Sequence, residues 1–172
     1  MTFECDVCPS FVKVKSCVSN GKYCPYAPKS SSTNEDMVYD EIEIMKENLL
    51  EKCLYQHIVD RDGENVNYKD WFNYMISMRE DIEKHSNVEV KVLGLDGKIE
   101  GSKRIYKFKN TPARILKKLG YSKEELNSLN DCVKNSFKIE GDTQSDNDFL
   151  KTDREWQNLM RVTTYPSVTI NN

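Results

Sequence analysis

Residues Cys17–Pro28 read CVSNGKYCPYAP, with Cys5 and Cys8-Pro9 just upstream and a long acidic stretch just downstream. Two cysteines seven positions apart enclose Asn20-Gly21 and are followed at once by Pro25 and Pro28. That is the chemistry of a tight, turn-rich loop rather than of a helix or strand. Four of the six cysteines fall within the first 24 residues, so the loop needs a staple. Disulfides are the favoured one, because no histidine lies nearby and the four cysteines do not repeat the paired spacing of a zinc ribbon.

The rest of the composition is that of a globular chain. With 172 residues, 38% apolar and 31% charged, it is long enough to bury a core of one domain or one and a half. A net charge of −3 argues against a nucleic-acid partner, since such proteins carry a basic excess. No apolar run approaches eighteen residues, so membrane contact is expected only through parts absent from this chain. Clustered cysteines point to an oxidising compartment, yet MTFECDVC lacks the order of a secretory signal. A piece of a longer protein would reconcile the two, and a cytosolic protein with reduced cysteines is the alternative.

Downstream of the loop, Lys29–Thr33 reads as a polar connector and Thr33 or Asn34 as a cap before acidic Glu35 and Asp36. The helix it opens is expected to run to about Ile58 with Val38, Ile42, Met45, Leu49, Cys53 and Leu54 as its buried stripe, ending in the turn residues Asp60-Arg-Asp-Gly63. A second helix is expected over Tyr68 to Lys84, with Trp71, Phe72, Met75, Ile76, Arg79 and Ile82 on one side. An aromatic stripe at that spacing reads as core. Val88, Val90 and Val92 alternate, Asp96-Gly97 suits a turn, and Ile105, Tyr106 and Phe108 alternate imperfectly, which makes a hairpin.

Thr111-Pro112 reads as a cap and first helical proline of a short helix through Leu119 that stops at Gly120. Ser122-Lys-Glu-Glu125 is a capping box opening a helix with Leu126, Leu129, Val133 and Phe137 on one stripe and Cys132 beside it. A loop over Glu140–Asn147 precedes a last helix bearing Phe149, Leu150, Trp156, Leu159 and Met160. In Val162–Ile170, Pro166 confines the strand to Ser167–Ile170. Lys103, Arg104, Lys107, Lys109, Arg114, Lys117 and Lys118 form the one basic region, read as a solvated face.

A proline opening a short apolar strand that ends in Asn171-Asn172 resembles the cis-proline loop of thioredoxin-like domains, with Tyr165-Pro166 as the cis bond. The whole chain resembles the lumenal central region of vacuolar sorting receptors. The residues that carry the likeness are Gly21-Lys22-Tyr23-Cys24 with Pro25 to Pro28, Asn48-Leu49 with Cys53, Trp71, Leu119-Gly120 with Cys132, and Pro166 to Asn172. The Val88 to Lys109 hairpin departs from that family, and its protease-associated domain, growth-factor-like repeats and membrane helix have no counterpart here. The resemblance implies an α/β (α+β) chain, an incomplete thioredoxin-like fold with a large helical insertion, helix-rich and disulfide-stapled. Its parts would be a cysteine-rich segment over 1–33, an insertion over 34–161 with a hairpin near 88–108, and the cis-proline strand over 162–172. Strands beyond both ends would be needed to complete such a sheet, as further sequence or a neighbouring chain.

Two chemistries compete for the cysteines. A thiol-disulfide oxidoreductase would use Cys5 and Cys8 as the redox pair with Pro166 packed against them, and needs a thiolate activated at a helix N-terminus. Pro9 follows directly, and Ser10–Lys15 does not read as a good helix. The alternative is three structural disulfides among Cys5, Cys8, Cys17, Cys24, Cys53 and Cys132. Fifteen pairings are open; the favoured partition joins Cys53 to Cys132, both beside buried stripes, and keeps the other four within the N-terminal segment. His57 and His85 are far apart, so neither a catalytic dyad nor a histidine metal site is expected. Asp60–Gly63 begins like a calcium loop whose twelve-residue pattern is not completed. No glycine-rich phosphate loop occurs, and no cofactor is implied. The expected function is therefore a non-catalytic protein-binding module of a sorting-receptor-like protein, recognising or scaffolding cargo in the secretory or endosomal-vacuolar lumen or on the extracellular face. An oxidoreductase and a structural subunit of a larger assembly are the alternatives.

Overall fold

The computed structural model describes residues 2–3, 17–25, 37–39, 41–85, 89–93, 99–106, 108 and 110–159; for the strands at 2–3, 37–39, 89–93 and 99–106 it is the course of the backbone that is described. Cys5, Cys8, the 10–15 segment, the 29–33 connector, Asp96-Gly97, Lys107, Lys109, Met160, Pro166 and the 167–172 strand and its Asn-Asn end lie outside those residues. The described chain is helix-rich, with five α-helices, short strands and two disulfides. No helix among the described residues is long and apolar enough to cross a membrane.

Helix α1 (Glu41–Asp62) is the axis of the molecule. Met45 and Leu49 are buried with Val18, Tyr23, Phe137 and Leu150 on one side. Cys53, Leu54 and Ile58 are buried with Tyr74, Met78, Leu116, Leu126 and Leu129 on the other. A helix flanked on two sides must be apolar over more than one stripe, which is why its sequence looks only weakly amphipathic. Its start is corrected from position 34 to 41. Met37–Tyr39, expected as its first turn, is strand β3 and runs parallel to β5 (Ile99–Tyr106), with Val38 opposite Ile105. The same strand pairs antiparallel with β4 (Glu89–Leu93), so the expected hairpin is two-thirds of a three-stranded sheet ordered β3-β5-β4.

Helix α1 ends in a single 3-10 turn, Gly63–Asn65, where Gly63 takes φ +58. Helix α2 (Lys69–His85) then returns against it, burying Tyr74 and Met78 with Trp71, Met75 and Ile82 half-buried. Here the expected stripe needs correction, because Phe72 (57% exposed) and Ile76 (56%) face outward. Residues 71, 74, 75, 78 and 82 share one face at three- and four-residue spacing, and 72 and 76 lie about 100° round the helix from it.

Helix α3 (Thr111–Lys118) is capped by Asn110 in the left-handed region, one residue earlier than the sequence suggests, so Thr111 and Pro112 are its first two residues. It buries Ile115 and Leu116 and ends at Gly120, whose φ of +94 suits the absence of a side chain. Helix α4 (Lys123–Asn135) has its capping box complete. Ser122 Oγ accepts the Glu125 N–H at 3.1 Å, and Glu125 Oε2 accepts the Ser122 N–H at 2.7 Å. Ser122→Ala is therefore expected to lower stability by about 1 kcal/mol in a denaturant titration. A loss within error would show that tertiary packing alone holds this terminus.

Phe137 lies past the end of α4, in a bridge with Asn147, but is buried as its stripe requires. Asn147 is itself buried: its Nδ2 donates to Ser136 Oγ at 2.7 Å, and its Oδ1 accepts the Leu150 N–H at 3.0 Å, opening α5 (Asp148–Leu159). Of the apolar residues expected on α5, Leu150 is buried while Trp156 and Leu159 are exposed.

The cysteine loop is a hairpin turn closed by Cys17–Cys24, with Val18 and Tyr23 exchanging backbone hydrogen bonds and Ser19, Asn20 and Gly21 all at positive φ. Strand β1 (Thr2–Phe3) pairs with β2 (Cys24–Pro25) beside it. The loop does not stand alone. The Ser19 N–H donates to Thr143 O at 2.8 Å, Ser19 Oγ donates to Ser145 O at 2.8 Å, and the Asn20 N–H donates to Gln144 Oε1. A segment more than 120 residues away thus supplies its docking edge. The second bond, Cys53–Cys132, ties α1 to α4 across a separation of 79 residues.

Candidate interaction surface

Of the residues proposed for redox chemistry, Cys5, Cys8 and Pro166 lie outside the described residues. The two described disulfides sit in packed surroundings: Cys17, Cys24 and Cys53 are 1–3% exposed and Cys132 is half-buried. Thiol-disulfide exchange requires a thiolate to reach sulfur, and these bonds suit staples.

His57 and His85 are not brought together. His57 Nε2 lies 3.5 Å from Glu125 Oε1 on α4, whereas His85 sits at the end of α2 against Asp81. The helix expected to end near Ile58 runs on through Asp60 to Asp62, so no turn forms there before Gly63, and the guanidinium of Arg61 lies with Nε 2.7 Å from Asp62 Oδ1 and Nη2 3.1 Å from Asp70 Oδ2. That pair, with the Asn67 N–H, holds the Asp62 carboxyl below its ordinary range. Within the basic region, Arg114 is paired with Asp81 and Lys117 and Lys118 are exposed. The side chains of Lys103 and Arg104 lie outside the described residues.

What the fold does assemble is an exposed aromatic cluster. The rings of Tyr55 on α1 and Tyr68 ahead of α2 stack at 5.4 Å, Trp71 meets Tyr55 edge-on at 6.5 Å, and Phe72 meets Trp71 edge-on at 5.2 Å. Tyr55 is 43% exposed and Tyr68 37%. Aromatic rings that could bury 150–250 Å² each are costly to leave wet, and a contiguous apolar surface of this kind marks an interaction site. Tyr55 and Tyr68 are functional candidates that the sequence reading missed. The available signal was Tyr55 falling off the Met45–Leu49–Cys53 stripe, a large ring on the polar side of the helix.

A groove of about 330 Å³ lies along the α1/α2 seam, lined by apolar Ile44, Met75, Met78 and Ile82 and by charged Glu47, Glu51, Arg79 and Glu83. A second cleft of about 490 Å³ opens between α1, α3 and α4, and Glu47 lines it as well. Glu47 is buried and accepts a hydrogen bond from the Tyr74 hydroxyl. Burial pushes its carboxyl up to about 8, against the opposing pull of Tyr74 and with help from Glu51 and Glu43. Burial likewise raises Glu51 to about 7. Near neutral pH both therefore hold protons for much of the time, and the groove is apolar with proton-bearing carboxyls along one wall. No group of three metal-ligating side chains is assembled among the described residues. Comparison with known proteins leaves this surface to be read on its own physics: no family model matches the chain, and neither a curated protein nor a solved structure shows significant similarity to it.

Proposed function

We propose that this chain is a non-catalytic, disulfide-stapled protein-binding module, built like the thioredoxin-like central region of a vacuolar sorting receptor and contributing to recognition or scaffolding of cargo in the secretory or endosomal lumen. The observation that carries the reading is the aromatic cluster in which exposed Tyr55, Tyr68 and Phe72 gather around half-buried Trp71. It sits on α1 and α2, which share one buried core, and α1 is in turn tied to α4 by a disulfide. Rigid aromatic anchors on a preorganised scaffold are what a protein interface concentrates. Buried disulfides suggest a non-cytosolic, oxidising environment, and the lumenal placement extends that observation along the resemblance.

A photo-crosslinking side chain at position 72, with a second at exposed Lys138 as control, tests the reading in an extract of lumenal proteins. A specific protein adduct is expected at 72 and not at 138, competed by unlabelled chain and weakened at least about tenfold by Tyr68→Ala. Equal, non-competable labelling at both positions would remove the basis for a binding face. Disulfide mapping on the same unreduced protein decides the redox question. A readily reduced Cys5–Cys8 bond would put the oxidoreductase first.

A further inference from the structure

Tyr55 and Tyr68 face each other across the turn that joins α1 to α2. Their rings stack at 5.4 Å with planes 11° apart, and their hydroxyl oxygens lie 3.4 Å from each other. In a phenol the two ortho carbons flank the carbon that bears the hydroxyl, so hydroxyls this close bring ortho carbons of the two rings beside each other. Both rings are open to solvent, Tyr55 at 43% and Tyr68 at 37%, whereas Tyr23, Tyr74 and Tyr121 are at most 6% exposed. Among the tyrosines with described side chains, these two are therefore the pair that an oxidant in solution reaches together. We propose that Tyr55 and Tyr68 are a modification site, joined by a one-electron oxidant of the peroxidase class into an intramolecular dityrosine that staples α1 to the entry of α2. The inference stands apart from the protein-binding reading, since it needs no partner on this face.

Each phenol gives up one electron and its hydroxyl proton, which leaves a phenoxyl radical with part of its unpaired spin on the ortho carbons. Coupling forms one carbon–carbon bond between the rings. Each newly bonded carbon then releases its hydrogen as a proton while the oxygen takes one up, which restores both aromatic rings and both hydroxyls. In total two electrons and two protons leave the chain, and one molecule of hydrogen peroxide accepts them through the peroxidase to become two of water.

The fold favours coupling within this pair. Holding two reacting groups side by side replaces a bimolecular encounter by a small rotation, and a radical on either ring has its partner already stacked on it. Tyr68 precedes α2, which begins at Lys69, so its ring can tilt into bonding position without unwinding a helix. Trp71 meets Tyr55 edge-on, which leaves Tyr68 as the ring laid against the Tyr55 face. The oxidising environment that the buried disulfides suggest is compatible with such an oxidant. The product closes the chain over the 3-10 turn at Gly63–Asn65, and thiols that reduce a disulfide do not break a carbon–carbon bond.

The test treats the full chain with a haem peroxidase and limiting hydrogen peroxide, isolates the monomer, reduces its disulfides and digests it with trypsin. Cleavage after Lys52, Arg61 and Lys69 separates Tyr55, in residues 53–61, from Tyr68, in residues 62–69. These two peptides are expected to be recovered joined, lighter by two hydrogens than their sum and with dityrosine fluorescence. The joined product should form at least about tenfold faster than a cross-link between any other two tyrosines, and at least about tenfold faster than in a synthetic peptide of residues 54–69, which keeps the spacing without the fold. Tyr55→Phe and Tyr68→Phe should each abolish it, with circular dichroism matching the parent to show that the variants fold. Coupling as fast in the synthetic peptide as in the chain would overturn the role of the stacked geometry. Cross-links confined to dimers or to other tyrosines, or oxidation spent on Trp71 without joining the two peptides, would overturn the site.

Discussion

Replacing Cys53 and Cys132 together by alanine is expected to lower the unfolding free energy by about 4 kcal/mol, the value chain entropy assigns to opening a loop of this length. The bond closes 79 residues. The Cys17–Cys24 bond closes only seven, and the same argument gives it about 2 kcal/mol. The sulfur of Cys53 is also packed in the core cluster with Leu54, Ile58 and Tyr74, so alanine removes contacts as well as the cross-link. A urea titration of both double variants checks the order. The Cys53/Cys132 variant should unfold at the lower urea concentration and with a larger m, because its unfolded chain is less compact. A loss below about 1 kcal/mol would mean that packing alone holds α1 on α4. Since α1 carries Tyr55 and the groove glutamates, loosening it should also weaken binding at that surface.

The second large effect is a dependence on pH with a sign opposite to that of an ordinary salt-bridged carboxylate. Glu47 in the folded chain titrates at about 8, against an ordinary value of 4.5. Between those two values the folded state holds a proton that the unfolded state has released. Stability is therefore fully present below about 4.5 and is lost progressively as pH rises through about 8. A shift of that size corresponds to a loss on the order of 5 kcal/mol at most. Glu47→Gln keeps an acceptor for the Tyr74 hydroxyl and cannot ionise. The variant should be nearly as stable as the parent at pH 5 and on the order of 4 kcal/mol more stable at pH 9. Glu51, raised to about 7 by burial, leaves a residual slope of the same sign. Thermal or urea midpoints between pH 5 and pH 9 read this directly, and a parent curve that is flat across the range would remove the protonated Glu47 from the account.

These effects depend on groups whose roles differ in how far the sequence shows them. The Ser122–Glu125 box, the Gly120 corner, the turn chemistry of Cys17–Cys24 and the alternation through β4 are each written within a few residues, because caps, turns and strand period are satisfied by neighbours in the chain. The pairing of Cys53 with Cys132 lies at the margin: two helical stripes suggest it, and only the packing of α1 on α4 brings the sulfurs together. The face of α2 was decided in three dimensions. Its sequence offers two apolar rows, and α1 and α3 cover the one holding Tyr74 and Met78 while Phe72 and Ile76 stay in water. Strand β3 was hidden for a related reason, since Met37–Tyr39 suits either a first helical turn or a strand and the partner that selects the strand is β5, more than sixty residues on. The buried Glu47 with its Tyr74, and the docking of Ser19 on Thr143 and Ser145, have no local signature at all. The sequence by itself determined which caps and turns form locally, as at Ser122–Glu125, Gly120 and the Cys17–Cys24 loop; the tertiary structure decided where α1 starts and which faces meet, because a hydrogen bond or an apolar contact across a hundred residues rewards a residue for a neighbour its own segment does not contain.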